Sequence, residues 1–223
     1  MNYTESLAYL DSLGKFGIKL GMERIEGLLR ELGNPEQKIK TVHVTGTNGK
    51  GSVTSMITNI LLAANLKVGK FTSPHLVKYN ERINLNGKDI SDEDFATTIT
   101  AVKVAADSVV KKGVCEQPTQ FEILTAAAFL YFYLEKVDYA VIEVGMGGLW
   151  DSTNVITPVV SVITNVALDH TDRCGKTIER IAMQKAGIIK EKVPLVTAAE
   201  GNEAVAPIVT FAMFKQAPVY LYG

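Results

Sequence analysis

The stretch Thr45-Gly46-Thr47-Asn48-Gly49-Lys50-Gly51-Ser52 decides how this chain is read. It follows Thr41-Val42-His43-Val44, a run that predicts a buried strand, and opens into Val53-Thr54-Ser55-Met56-Ile57-Thr58-Asn59-Ile60-Leu61-Leu62. Apolar residues at 53, 56, 57, 60 and 61 give that segment a helical period. Strand, glycine-rich turn, lysine, hydroxyl and helix make a phosphate site. Glycines let backbone N–H groups converge on an anion, and the helix N-terminus adds partial positive charge. Thr47, Asn48, Gly49, Lys50, Gly51 and Ser52 are the expected nucleotide-binding residues, with Lys50 reaching the outer phosphates and a hydroxyl on Mg²⁺. The motif departs from G-x-x-x-x-G-K-[ST], because Val44 stands at the first glycine and Gly51 separates Lys50 from Ser52. A glycine-rich turn with no ligand is the alternative, which the lysine, the hydroxyl and the flanking elements oppose.

Composition bounds the remainder. A chain of 223 residues can bury a full core, and one α/β domain is the natural count, with two small ones the alternative. With 23 basic and 24 acidic residues the charges nearly cancel, so nothing attracts nucleic acid or an anionic membrane. No apolar run approaches the roughly 18 residues of a membrane helix, and the start Met1-Asn2-Tyr3-Thr4-Glu5 has no signal-peptide pattern. Cys115 and Cys174 are isolated and read as reduced thiols of a cytoplasmic protein.

Amphipathic segments at 3–13 and 22–32 open the chain, stopped by Gly33-Asn34-Pro35. Strands are then expected at 41–45, 67–72, 138–144, 158–164, 193–197 and 218–222, alternating with helices at 50–64, 92–111, 120–136, 177–190 and 202–216. Val/Ile-rich runs such as Tyr139-Ala140-Val141-Ile142 suit strands covered on both faces. The alternation predicts an α/β fold: a doubly wound, mostly parallel sheet with helices on both faces, and ligands at the strands' C-terminal ends.

That rule sorts the polar residues. Glu143 sits near the end of an apolar strand, where an unpaired charge is costly. It either pairs with a local Lys or Arg or, beside a phosphate loop, coordinates Mg²⁺. His170, after strand 158–164 and next to Asp169, reads as a ligand or base, whereas His43 inside the first strand reads as a satisfied core residue. Ser73, in the loop that carries His75, offers a second hydroxyl near the phosphates. Lys185 occupies the inward slot of the stripe Ile178, Ile181, Ala182, Ile188, Ile189. Its ammonium either snorkels outward or, if buried, favours the neutral amine, which can act as a base or take up carbon dioxide as a carbamate.

Taken together, these residues resemble the Mur-ligase superfamily and, within it, the folylpolyglutamate synthase family. The matching runs are Val44 to Ser52, Thr72-Ser73-Pro74-His75-Leu76 with Asn80-Glu81-Arg82-Ile83, Glu143-Val144-Gly145-Met146-Gly147-Gly148, Asp151-Ser152-Thr153-Asn154, Ala167-Leu168-Asp169-His170 and Lys185-Ala186-Gly187-Ile188-Ile189. They span the whole chain in the family's order. The Ser-Pro-His-Leu and Asn-Glu-Arg-Ile pieces point to the folate branch.

The resemblance implies an ATP-dependent ligase that joins L-glutamate to the terminal carboxylate of a folate through an acyl phosphate. It also implies two Mg²⁺ sites: Ser52, Ser73, Glu143 and His170 would be ligands, and a carbamylated Lys185 would hold the second metal. Lys50, His170 and Lys185 would be the catalytic residues. Thr119, Phe121 and Glu122, with the stretch around Asp151, would line the folate site. The sequence departs from the family at Leu149-Trp150, where relatives carry Arg-Leu. The family is bidomain and roughly twice as long, so this chain is expected to be its N-terminal, ATP-binding part, monomeric and without the glutamate-contacting domain. Two other readings stand beside this one. A kinase or GTPase is opposed by the lack of an Asn-Lys-x-Asp segment after a strand, and a nonenzymatic nucleotide-binding module is the other.

Overall fold

The computed structural model describes residues 1–14, 21–169 and 175–222. An eight-stranded sheet runs through it: β1 (Thr41–Thr45), β2 (Val68–Phe71), β3 (Ile83–Leu85), β4 (Lys88–Asp89), β5 (Tyr139–Glu143), β6 (Val160–Ile163), β7 (Leu195–Thr197) and β8 (Val219–Leu221). Their spatial order is β4-β3-β2-β5-β1-β6-β7-β8. β2, β5, β1, β6, β7 and β8 pair in parallel, while β3 and β4 join antiparallel at one edge. The doubly wound α/β fold predicted from the alternation is therefore the observed one.

The β3–β4 pair is an addition to the expected strands. Its turn is Asn86-Gly87, with φ of 51° and 80°. These are the two positive values that a tight primed hairpin turn demands.

Seven helices cover the sheet among the described residues: α1 (Tyr3–Leu13), α2 (Glu23–Glu31), α3 (Lys50–Ala63), α4 (Asp92–Lys111), α5 (Gln120–Leu134), α6 (Ile178–Ala186) and α7 (Asn202–Phe214). Strand alternation separates two faces. Val42 and Val44 of β1, Val141 of β5 and Val162 of β6 pack beneath Val53, Ile57 and Leu61 of α3. The opposite face carries the remaining cores. Every residue of α5 from Glu122 to Phe132 is buried, because that helix is enclosed by α1, α2, α4 and β2. A helix enclosed on all sides is apolar all round, which is how its sequence reads. α6 and α7 pack together over the β6–β7 side through Ala182, Ala186, Ile208 and Ala212.

α6 is shorter than the expected 177–190. It stops at Ala186 with Gly187 as its cap, and Ile188 and Ile189 fill the same core from the following coil. Apolar period alone does not separate a helix from a buried exit.

Candidate nucleotide and metal site

The sheet order places β1 between β5 and β6. The connection after β1 leads to β2 on one side, and the connection after β5 leads to β6 on the other. This reversal opens a crevice at the C-terminal ends of the central strands, the usual ligand position in such sheets. The loops after β1, β2, β5 and β6 all end there.

The phosphate loop leaves β1 at Gly46. A Cβ on Gly46 would lie 1.7 Å from Thr164 Oγ1, so only glycine lets the loop approach the segment after β6. That segment clamps the loop. Thr47 N–H donates to Asn165 O at 3.0 Å, Asn48 N–H to Asn165 Oδ1 at 2.9 Å and Thr164 Oγ1 to Asn48 O at 2.7 Å. Thr47 Oγ1 accepts from Ala167 N–H and donates to Ala167 O. The clamp is a functional feature that the sequence reading missed, although Thr164 and Asn165 follow a strand end directly.

Gly49 is the N-cap of α3 with φ of 79°, a left-handed conformation, and no side chain of the described residues caps the helix. The first-turn N–H groups of α3 thus face the crevice with their partial positive charge. Lys50 Nζ donates to Gly46 O at 3.0 Å and Thr47 O at 3.2 Å, which centres the ammonium on the loop. Ser52 is exposed on the first turn of α3.

Glu143 ends β5 on the α3 side of the sheet. A Cβ on Gly51 would sit 3.6 Å from both of its carboxylate oxygens, so Glu143 lies directly under the loop. The Ser73 N–H, in the loop after β2, donates to Glu143 Oε2 at 3.1 Å. Burial raises the Glu143 pKa; the Ser73 N–H and the charges of Lys50 and Lys70 oppose that shift, and Asp151 adds to it. Among the described residues Glu143 has no short ion pair; it is a buried carboxylate near the charges of Lys50 and Lys70. Glu143, Ser73, Lys50 and Gly51 are therefore brought together. Lys70, on β2, is a nearby charge that sequence reasoning passed over.

His170 lies outside the described residues, as does Cys174. Among the described residues no three His, Cys, Asp or Glu side chains cluster to hold a metal ion. The single carboxylate Glu143 with hydroxyls nearby suits Mg²⁺, which is held by one or two carboxylates together with substrate phosphates.

Lys185 is 4 % exposed in the last turn of α6, so the buried alternative holds and the snorkelling one does not. That turn abuts the loop after β5, where Leu149 N–H donates to Gln184 O at 2.8 Å and a Cβ on Gly148 would meet Lys185 O at 3.1 Å.

The expected folate residues separate into two groups. Phe121 and Asp151 meet at Gly145, where a Cβ would touch the Phe121 ring at 2.6 Å and Asp151 Oδ2 at 3.1 Å. Thr119 and Glu122 instead close a capping box at the start of α5. Both Glu122 oxygens also accept from Arg24 Nε at 3.1 Å in the interior.

His43 departs from the expected satisfied core residue. Its Nε2 lies 2.8 Å from Thr153 Oγ1, but its buried Nδ1 has no hydrogen-bond partner among the described residues.

Comparison with known proteins agrees with this geometry. The model of the Mur ligase middle domain matches residues 44–206. A dihydrofolate synthase/folylpolyglutamate synthase of Bacillus subtilis is 46% identical over 209 residues, 92% of this chain and 48% of the relative. A folylpolyglutamate synthase of Lacticaseibacillus casei is 47% identical over 197 residues, 88% of this chain and 46% of the relative. A solved FPGS–AMPPCP–folate complex superposes with a TM-score of 0.93 at 43% identity, covering 99% of this chain and 54% of that one. The chain thus spans about half the length of the curated relatives it matches. With the family model matched from the end of β1 into α7, and the phosphate loop, Glu143 and Lys185 all inside the matched span, this chain belongs to the Mur ligase middle-domain family.

Proposed function

We propose that this chain is the nucleotide-binding part of an ATP-dependent ligase that adds L-glutamate to the terminal carboxylate of a folate. One observation carries the reading: a glycine-rich loop centred on Lys50 stands over the buried Glu143 at the switch point of the sheet. The relatives named as folylpolyglutamate synthases and the complex with AMPPCP and folate supply the substrate class. In this reading the folate carboxylate attacks the γ-phosphorus of ATP and ADP leaves, giving an acyl phosphate. The amine of glutamate then attacks the acyl carbon and phosphate leaves. Lys50 and the first turn of α3 hold the triphosphate, and Phe121 with the Asp151 loop faces the folate. A second domain supplies the glutamate contacts. Because the Bacillus subtilis relative bears both names, dihydropteroate is a second candidate acceptor for the same chemistry.

Mg²⁺ held by Ser52, Ser73, Glu143 and His170 would neutralise charge on the transferring phosphoryl group. The buried amine of Lys185 is proposed to add to carbon dioxide with loss of a proton, giving a carbamate ligand for a second Mg²⁺. With ¹³C-bicarbonate above neutral pH, a carbamate carbonyl resonance is expected, lost on acidification and missing in Lys185→Met. A spectrum identical in the two proteins would remove the carbamate from the proposal.

The test of function is incorporation of labelled glutamate into folate by a protein carrying this chain, with Glu143→Gln beside it. The wild type should depend on ATP, Mg²⁺ and folate together, and the variant should lose Mg²⁺-dependent ATP binding. Stability should not fall with activity. The Glu143 pKa is raised above 4.5 by burial, so its protonated form is the one folding favours. That contribution is complete below the unfolded value and is lost as pH rises through the folded one. The permanently neutral glutamine therefore melts at or above the wild-type temperature at neutral pH. Glutamate incorporation indifferent to folate, or a variant of unchanged Mg²⁺ dependence, would overturn the assignment.

A further inference from the structure

The central strand carries three polar side chains on one face, Thr41, His43 and Thr45; Ala140 and Ile142 of β5 lie beside the first two, and Ser161 of β6 lies beside His43. Two of the three reach across to the loop that follows β5. Thr45 Oγ1 donates to Gly147 O at 2.7 Å, and His43 Nε2 lies 2.8 Å from Thr153 Oγ1. Thr153 Oγ1 lies 2.6 Å from Asp151 Oδ1; burial raises the Asp151 pKa against the hydrogen bonds it accepts from Thr153 and Met146, and with that carboxylate ionised Thr153 donates its one proton there and accepts from His43. In that ionised state the imidazole carries its proton on Nε2 and leaves Nδ1 bare. Asp151 folds the loop onto itself: Oδ1 also accepts from Thr153 N–H at 3.0 Å, and Oδ2 accepts from Met146 N–H at 2.9 Å.

The bare Nδ1 is fully buried and has no hydrogen-bond partner among the described residues. Such an acceptor costs folding free energy that an apolar residue of similar size would avoid. Packing thus gives no reason for a histidine here. Burial, and secondarily the charge of Lys190, push the His43 pKa down to about 3, so the ring stays neutral. Lys190 in turn donates to Asn154 O at 2.9 Å on the same segment.

We propose that His43 is a positioning residue: its Nε2–H fixes Thr153 and, through it, Asp151, and so sets the 145–155 loop against the strand that presents the phosphate loop. The inference rests on the folate reading above for the identity of the ligand, though not for the geometry. It assigns His43 to orienting the folate rather than to binding nucleotide. Loss of one such buried donor should weaken folate about tenfold, equal to roughly 1.4 kcal/mol.

The test compares His43→Leu, which fills the space without a donor, with His43→Gln, whose amide nitrogen reaches to the place of Nε2. Folic acid is titrated into the chain in the presence of Mg·AMPPCP, and Mg·AMPPCP is titrated separately. His43→Leu should bind folic acid about tenfold more weakly with nucleotide affinity within about twofold, and His43→Gln should recover most of the loss. Equal losses of both ligands, or a glutamine variant no better than the leucine one, would assign His43 to the core alone and overturn the proposal. If the wild type fails to bind folic acid, the folate reading falls and the positioning role is judged by backbone hydrogen exchange. Faster exchange at the Met146 and Thr153 amides in His43→Leu, restored in His43→Gln, supports it; unchanged exchange overturns it. A ¹⁵N spectrum with the His43 proton on Nδ1 also overturns it.

Discussion

Lys50→Ala is expected to lower affinity for Mg·ATP by about a hundredfold or more while leaving the thermal transition unchanged. The ammonium is held at the loop centre by Gly46 O and Thr47 O at 3.0 and 3.2 Å. These carbonyls keep it where an anion would arrive, so little reorganisation is needed on binding. Hydrogen bonds to charged groups are worth about 1.5–3 kcal/mol each, and a hundredfold corresponds to roughly 2.7 kcal/mol, so the loss of one phosphate partner in a preformed loop accounts for it. The fold should be indifferent, because Lys50 is half-buried at a helix start and contributes to none of the hydrophobic clusters. Calorimetric titration with a melting curve checks both halves. Nucleotide affinity equal to that of the wild type would remove the loop from the site.

Glu122→Ala should act in the opposite way, costing stability rather than ligand. One carboxylate performs two tasks: it accepts from Thr119 N–H at 2.6 Å as part of the capping box of α5, and from Arg24 Nε of α2 with both oxygens at 3.1 Å. The side chains of Arg24 and Glu122 are only 10% and 3% exposed. Removing one member of a buried ion pair typically costs about 3–5 kcal/mol, because the other charge stays in the interior. For a chain of this size that is a fall of about 6–20 °C in melting temperature. Glu122→Gln, which keeps an acceptor for Thr119, should lose less. A melting temperature within a degree of wild type would free Glu122 for the folate contact that the sequence resemblance assigns to it.

How much of this was legible in the sequence varies with range. The strand 41–45 and the helix 92–111 are found where expected, because each is fixed by local signals: a strand before a glycine turn, and Ser91 capping Asp94. The hairpin at 83–89 had its Asn86-Gly87 signal in plain view, but the strands beside it are too short for period-two alternation to register. The capping role of Thr119 and Glu122 is a Thr-x-x-Glu pattern that sequence alone displays. Glu122's partner Arg24 lies 98 positions away, and no local rule finds it. The same holds for His43, whose partner Thr153 is 110 positions distant. Glu143 was legible because a carboxylate in an apolar strand needs a reason, whereas the clamp of Thr164 and Asn165 was not, since small polar residues after a strand are ordinary.

That clamp has a consequence for how the protein is made. The hydrogen bonds that hold the phosphate loop join residues 116 to 120 positions apart. A ribosome adding about 5–20 residues per second leaves the loop unheld for on the order of ten seconds after its own synthesis. For most of that interval β1 lacks both neighbours, since β5 and β6 are still to come. Closing so long a chain segment carries an entropy cost that only the finished central strands repay. Nucleotide therefore cannot template the early steps of biogenesis, and it stabilises the product only after the sheet's middle has zipped shut.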